Sequence, residues 1–419
     1  MFKMYKGLFD MKQQELIPHL FRSEYSKIVA VLSRRFGFEQ IETAEDIAGD
    51  TFLAAMHSWP VNGAPPNPVA WLYNVAKNKA KNYLQRNHIY ENKITPELQN
   101  TFDLIHESEI DLSPKNISDS QLQMMFAICN PVIPAESQIG LALRILCGFG
   151  IQEIAEAFLS NKETINKRLF RAKEKIREEK ISIEIPGPAE IDERLENVLT
   201  TLYLLFSEGY YSVSQNQVIR KDLCFEAIRL CLMLIENKNT DKPAVNALLA
   251  LMYFQASRLD ARTDKNGEMI LYDDQDATLW NIDLVGKGGY FLNRAASGDK
   301  LSKYHLEATI AYWSTQKADT PEKWEAVLQL YNRLLQIEYS HIAALNRTYA
   351  LSKANGKAEA IIEAEKLKLT NNHFYYVLLG ELYTDVDNEQ AKSNLKKALS
   401  IAKTETDKQT IRKKIERLK

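Results

Sequence analysis

Apolar residues recur at intervals of three and four along most of the chain, and two-residue alternation is scarce, so the pattern predicts an all-α protein. Helical text fills about residues 10–60. It breaks at WPVNGAPPNP (59–68), where four prolines and a glycine forbid regular structure, and resumes over about 69–90. Residues 93–118, KITPELQNTFDLIHESEIDLSPKNIS, are polar, acidic and interrupted by two prolines, and they read as a flexible linker. Helical periodicity returns from 119 to 180, and IEIPGPAE (183–190) marks a second boundary. The expected domains are therefore 10–92, 119–182, 190–295 and 300–419, the first two joined by the linker.

The last hundred residues look internally repetitive. HFYYVLLGELYTDVDNEQAKSNLKKALSIAK (373–403) sets Leu379, Gly380, Tyr383, Ala391 and Ala398 at the small and bulky positions of a tetratricopeptide-like helix pair. Residues 326–368 are a looser match.

Within 119–182 the pattern sharpens. Ile151, Ile154, Ala155 and Phe158 make one short amphipathic helix; Ile165, Leu169, Ala172 and Ile176 give the next an apolar face. Ser160 with Glu163 matches a capping box that starts the second helix at 161. Two helices joined by a short turn, the second basic, read as a helix-turn-helix. Between 162 and 177 there are seven basic and two acidic residues, enough positive charge to meet several phosphates. Thr164, Asn166 and Lys167 are placed for base edges, and Arg168, Arg171 and Lys175 for phosphate. The competing reading is a solvated helix whose charges face water.

A second basic helix lies in PVAWLYNVAKNKAKNYLQRN (68–87), where Lys77, Lys79, Lys81 and Arg86 are interleaved with Trp71, Tyr73 and Tyr83. Rings and cations together suit unstacked bases, although Trp71, Leu72, Val75 and Leu84 also make a core stripe. The preceding segment reverses the sign: Glu39, Glu42, Glu45, Asp46 and Asp50 occur with no Lys or Arg among them. Such a face turns away from DNA, toward solvent or a basic protein partner.

Composition narrows the classes without choosing one. The 419 residues carry a net charge of -2, 45% hydrophobic and 26% charged residues, ordinary values for a globular protein of several domains. Cys129, Cys147, Cys224 and Cys231 form no CxxC pair and read as buried reduced thiols. The longest apolar runs, such as LLALMYF (248–254), fall far short of a membrane span, and MFKMYKGLFDMKQQEL lacks the pattern of a signal peptide. The expected compartment is the cytoplasm. No nucleophile–base or metal constellation is present, so neither catalysis nor a cofactor is expected.

Three ordered motifs carry a resemblance. AEDIAGDTFLAAMHSW resembles region 2.2 of bacterial RNA polymerase sigma factors of the extracytoplasmic-function type. NPVAWLYNVAKNKAKNYLQRN resembles regions 2.3 and 2.4, and IPAESQIGLALRILCGFGIQEIAEAFLSNKETINKRLFRAKEKI (133–176) resembles region 4. The resemblance implies a promoter-specificity subunit whose partners are core RNA polymerase, through its β′ clamp coiled coil and β flap, and promoter DNA. It assigns Asp46, Asp50, Thr51 and Phe52 to the clamp contact. Asn62, Asn67, Trp71, Asn74, Lys77, Asn78, Lys81, Asn82 and Arg86 fall on the minus-ten element. Lys162, Thr164, Asn166, Lys167, Arg168, Phe170, Arg171 and Lys175 fall on the minus-thirty-five element.

Two features depart from the family: its L-G-x-S turn appears here as FLSNKE, and the minus-ten loop is rich in proline. The two promoter elements lie about 17 base pairs apart, about 58 Å at about 3.4 Å per pair. A linker of 26 residues extends to about 85 Å at about 3.3 Å per residue, so it reaches.

The region beyond 190 resembles a subgroup with a fused helical extension, which implies regulation within the chain or a protein partner for the repeats. Asn266-Gly267 reads as a hairpin turn. Asp260, Asp264, Asp273, Asp274 and Asp276 with Arg258 and Arg262 read either as a polar network with helix caps or as a ligand site. GKGGY (286–290) lacks the ending of a phosphate loop.

Overall fold

A computed structural model of the chain describes residues 13–94, 110–158, 160–211, 220–262, 270 and 272–418. Every regular element among them is helical, as the apolar spacing predicts. They form two compact units, Met1–Leu202 and Tyr203–Lys419, and the boundary falls inside one helix, α8 (Ile191–Tyr211).

The first unit is built around α1 (Gln13–Phe36). Ile28, Val29, Ala30, Val31, Leu32 and Ser33 are consecutive and all buried. A helix that is apolar all round needs cover on every side. α2 (Ile41–Asn62) and α3 (Pro68–Ile94) supply part of it, and α4 (Pro114–Ile128) supplies more. Along the α1–α4 contact Gln121 donates to Ser26 at 3.4 Å and Arg34 donates to Asn116 at 2.9 Å. The pattern predicts separate modules at 10–92 and 119–182; in the structure they share one core, because neither alone can bury α1.

Two boundaries shift for local reasons. α2 continues through Pro60, which lacks the amide that would bond the Met56 carbonyl, and ends two residues later where Gly63 takes φ +79°. The break is thus 63–67 rather than 59–68. α4 begins at Pro114 rather than 119, with Ser113 as its N-cap and proline at the first helical position. Ile110 and Leu112 are buried just before it, so the end of the expected linker belongs to the fold.

The helix-turn-helix follows. α5 (Ala135–Leu141) runs on into one π turn, Ala142–Leu146, and α6 (Ile151–Ala157) precedes α7 (Lys162–Glu178). Asn161, not Ser160, caps α7, accepting from the Thr164 amide at 2.8 Å. Gly140 lets α7 cross α5 closely: a β-carbon there would lie 3.0 Å from Leu169. The first half of α8 closes the unit, with Arg194 donating to the Phe126 carbonyl at 2.7 Å and Thr201 to Gln138 at 2.6 Å.

In the second unit α9 (Lys221–Glu236), α10 (Pro243–Ala256), α11 (Ile282–Ala295) and α12 (Lys303–Trp313) gather round α10, which contains LLALMYF and is buried on all faces. GKGGY lies inside α11. A β-carbon on Gly288 would come within 2.6 Å of the Phe254 ring, so this glycine permits the α10–α11 crossing and serves no phosphate. Helix pairs then follow: α13 (Pro321–Ile337) with α14 (His341–Ala354), α15 (Lys357–Leu367), α16 (His373–Tyr383) with α17 (Asn388–Ile401), and α18 (Glu405–Arg417). Gly380 crosses against Leu395, with Leu379, Ala391 and Ala398 buried beside it.

Candidate nucleic-acid interface

The apolar side of α7, Ile165, Leu169, Ala172 and Ile176, is buried as the spacing predicts. Lys162, Thr164, Asn166, Lys167, Phe170, Arg171 and Lys175 are exposed. Phe170 is 61% exposed. Lys167 pairs with Glu163 at 2.6 Å and Lys175 with Glu179 at 2.7 Å, both within the helix and open to water. The Glu179 hydrogen bond raises the Lys175 pKa. Arg168 differs from its neighbours: it is half-buried, bonded to Glu136 at 3.0 Å and set over the Phe158 ring. It braces α5, α6 and α7 rather than facing outward.

The C-terminal half of α7 meets α2. Lys173 and Arg177 meet Glu45 and Glu42, and Arg144, on the π turn, donates to Glu45 at 2.9 Å. Arg144 also donates to the Phe149 carbonyl and the Tyr25 hydroxyl. Burial, with Glu45 close by, pushes the Tyr25 phenol up, so it stays neutral and serves as an acceptor. A second bridge joins Arg22 of α1 to Glu153 of α6, the guanidinium lying 3.9 Å from the Phe149 ring centroid.

On α3 Asn74, Asn78, Lys81, Asn82, Gln85 and Arg86 are among the exposed positions, spaced as one polar stripe. Trp71 is half-buried and meets Trp59 edge-on at 5.4 Å, so much of its ring is structural. Lys77 is half-buried, and Lys79 pairs with Asp50 at 3.3 Å. Tyr73 donates to Glu24 at 2.6 Å and Tyr83 to Gln40 at 3.0 Å, which fixes both rings to their neighbours. Asn62 and Asn67 are exposed beside the proline loop. Asn67 also caps α3, accepting from the Ala70 amide.

On α2, Asp46 and Asp50 are exposed, but Thr51 and Phe52 are not. Thr51 is fully buried and donates to the Ile47 carbonyl, while Phe52 packs on Phe21. They sit half a turn from the outward face and offer no side chain to a partner. Leu53 and Met56, 51% and 55% exposed, share the face with Asp50 and were readable from their three-residue spacing. A shallow cavity of about 350 Å³ lies here, lined by Phe21, Tyr25, Glu45, Asp46, Asp50 and Arg144 among others.

The model for sigma-70 region 2 matches residues 20–88, and a family of unknown function, DUF6596, matches 194–296. An uncharacterized protein of Rhizobium meliloti is 31% identical over 388 residues, 91% of each chain. The ECF RNA polymerase sigma-E factor of Haemophilus influenzae is 28% identical over 154 residues, 36% of this chain and 80% of its own. RNA polymerase sigma factor YlaC of Bacillus subtilis is 28% identical over 167 residues, 39% and 91%. The chain belongs to the extracytoplasmic-function sigma factors, in a branch with a long C-terminal extension. No solved structure matches.

Other expected features of this sigma factor resolve differently. Asp260 pairs with Lys221, Asp276 caps its own turn at Thr278, and Asp274 is exposed. Arg258 and Arg262 lie against the rings of Tyr272 and Tyr210. The helix-cap part of the polar-network reading is therefore present at Asp276. Asp264 and the Asn266-Gly267 hairpin lie outside the described residues. All four cysteines are buried and free; burial pushes Cys129 and Cys224 up to about 12. No helix among the described residues is long and apolar enough to cross a membrane.

Proposed function

We propose that this chain binds core RNA polymerase and directs initiation at a promoter with two elements. α7 reads the upstream element in duplex form, with Asn166 and Lys167 on base edges, Phe170 against a thymine methyl group, and Lys162, Arg171 and Lys175 on phosphate. α3 borders the opened downstream element through Asn74, Asn78, Lys81, Asn82 and Arg86, with Asn62 and Asn67 in the loop before it. The clamp contact falls on Asp46, Asp50, Leu53 and Met56. The polymerase supplies the chemistry, and the sigma chain selects and positions. The helix pairs after residue 300 are tetratricopeptide-like and serve regulation or a protein partner.

The observation that carries this reading is the division of exposed side chains. Polar and cationic stripes lie on α3 and α7, and a mixed acidic and apolar stripe lies on α2. Co-purification with core polymerase tests it. The full chain should be retained, and Leu53→Glu with Met56→Glu should lower affinity at least tenfold. A chain that binds duplex DNA tightly but never polymerase would instead be an ordinary helix-turn-helix regulator.

A further inference from the structure

We propose that the outer face of α11 docks the same face of a second copy of this chain, the two helices crossing antiparallel. The inference goes beyond the sigma-factor reading and does not rest on it.

One side of α11 is used inside the fold. Gly288, Phe291 and Ala295 are buried, and Gly288 is the glycine that lets α10 approach. The opposite side is open. Ile282 is 71% exposed and Tyr290 58%, and Gly286 stands midway, four residues from each. Single apolar side chains are ordinary on a surface. These three positions are not single: each step of four residues turns only about 40° round the helix, so they make one row about 12 Å long.

The glycines in this row are the telling part. Glycine loses more backbone freedom than alanine and is a poor helix former. At Gly288 the contact with Phe254 accounts for it. Gly286 and Gly289 have no such internal reason, since a β-carbon on either would meet nothing within 4 Å. Their missing side chains leave a flat floor beside a protruding isoleucine and a protruding ring, where the backbone of another helix can lie close.

The pattern selects the occupant because it is complementary to itself. A two-fold axis through Gly286 reverses the second helix. Gly286 then meets its own copy, and Ile282 of each chain meets Tyr290 of the other. Asp283 and Lys287 are exposed on the edge of this face that also carries Tyr290. The reversed helix brings the carboxylate of each chain beside the ammonium of the other, whereas parallel helices would set like charge against like. A single helix crossing covers less than the roughly 800 Å² per partner of a standard interface, so the dimer forms reversibly and grows with concentration.

Sedimentation velocity of the full chain, from about 1 to about 300 μM, tests the proposal in the range where small interfaces fill. The sedimentation coefficient should rise toward that of a dimer. Gly286→Gln with Gly289→Gln fills the floor but has room in the fold, so this variant should melt no lower than the parent and associate at least tenfold more weakly. Asp283→Lys or Lys287→Asp alone should weaken association, and the two together should restore it. A chain that stays monomeric throughout, or a dimer indifferent to the glycine substitutions, overturns the proposal.

A second measurement reads the face itself. The native thiols are buried, so a maleimide addresses Ile282→Cys selectively. Its labelling should slow as the chain is concentrated. Protection that appears only when core polymerase is added would put a different partner on this face and overturn the self-association.

Discussion

Two helix crossings, one in each unit, are held in opposite ways. α2 meets α7 and the π turn before it through the ion pairs of Glu42 and Glu45 with Arg144, Lys173 and Arg177. α10 meets α11 through Gly288 pressed on the buried Phe254 ring and through Tyr253 stacked on Phe291. Charge holds the first crossing and close packing holds the second.

The comparison breaks first at Glu45. Glu45→Ala leaves Arg144 and Lys173 enclosed without their shared acceptor and should cost the first unit about 3 kcal/mol in chemical denaturation. Glu163→Gln, which removes the exposed pair with Lys167, should change stability immeasurably. If the two substitutions cost the same, the α2–α7 crossing is not special.

In the second unit, Gly288→Val should cost about 2 kcal/mol, because Phe254 is fully buried and has nowhere to go. Unfolding followed by tryptophan fluorescence checks it. A neutral result would mean that close packing is not what holds α10 to α11.

A third test uses pH. Burial pushes the Glu307 carboxyl up to about 7 from 4.5, with Tyr203 donating to it at 3.4 Å. The folded chain keeps this proton at pH values where the unfolded chain has lost it, so stability falls as pH rises from about 4.5 to 7. Glu307→Gln should remove that fall, giving about 1–2 kcal/mol of relative stabilisation at pH 8 and little at pH 4. Melting curves at the two pH values read the difference.

The smallest expected effect is at the cap: Asn161→Ala should cost about 1 kcal/mol, and Ser160→Ala much less.

Much of this was legible in the sequence, and what was not has physical causes. The apolar faces of α6 and α7 and the polar stripe of α3 follow from three- and four-residue spacing. The cap of α7 was misplaced by one residue because Ser160 and Asn161 are both good caps, and only the backbone chooses between them. Thr51 and Phe52 were assigned by position in a motif, whereas the helical period turns them inward. The shared core was the larger omission. Its signal was present in IVAVLS, a run apolar on every side of α1, but a run says only that cover is needed and not which helix provides it. The ion pairs of Glu42 and Glu45 were unreadable for the same reason, since their partners lie about a hundred residues or more away.

Run-off transcription with purified core polymerase tests the central claim most directly. The full chain should direct a discrete transcript from its promoter. Arg171→Ala should weaken initiation at every sequence alike, and Asn166→Ala should relax selectivity at one upstream base pair. Transcripts that start at random positions, or are indifferent to both substitutions, would contradict the account.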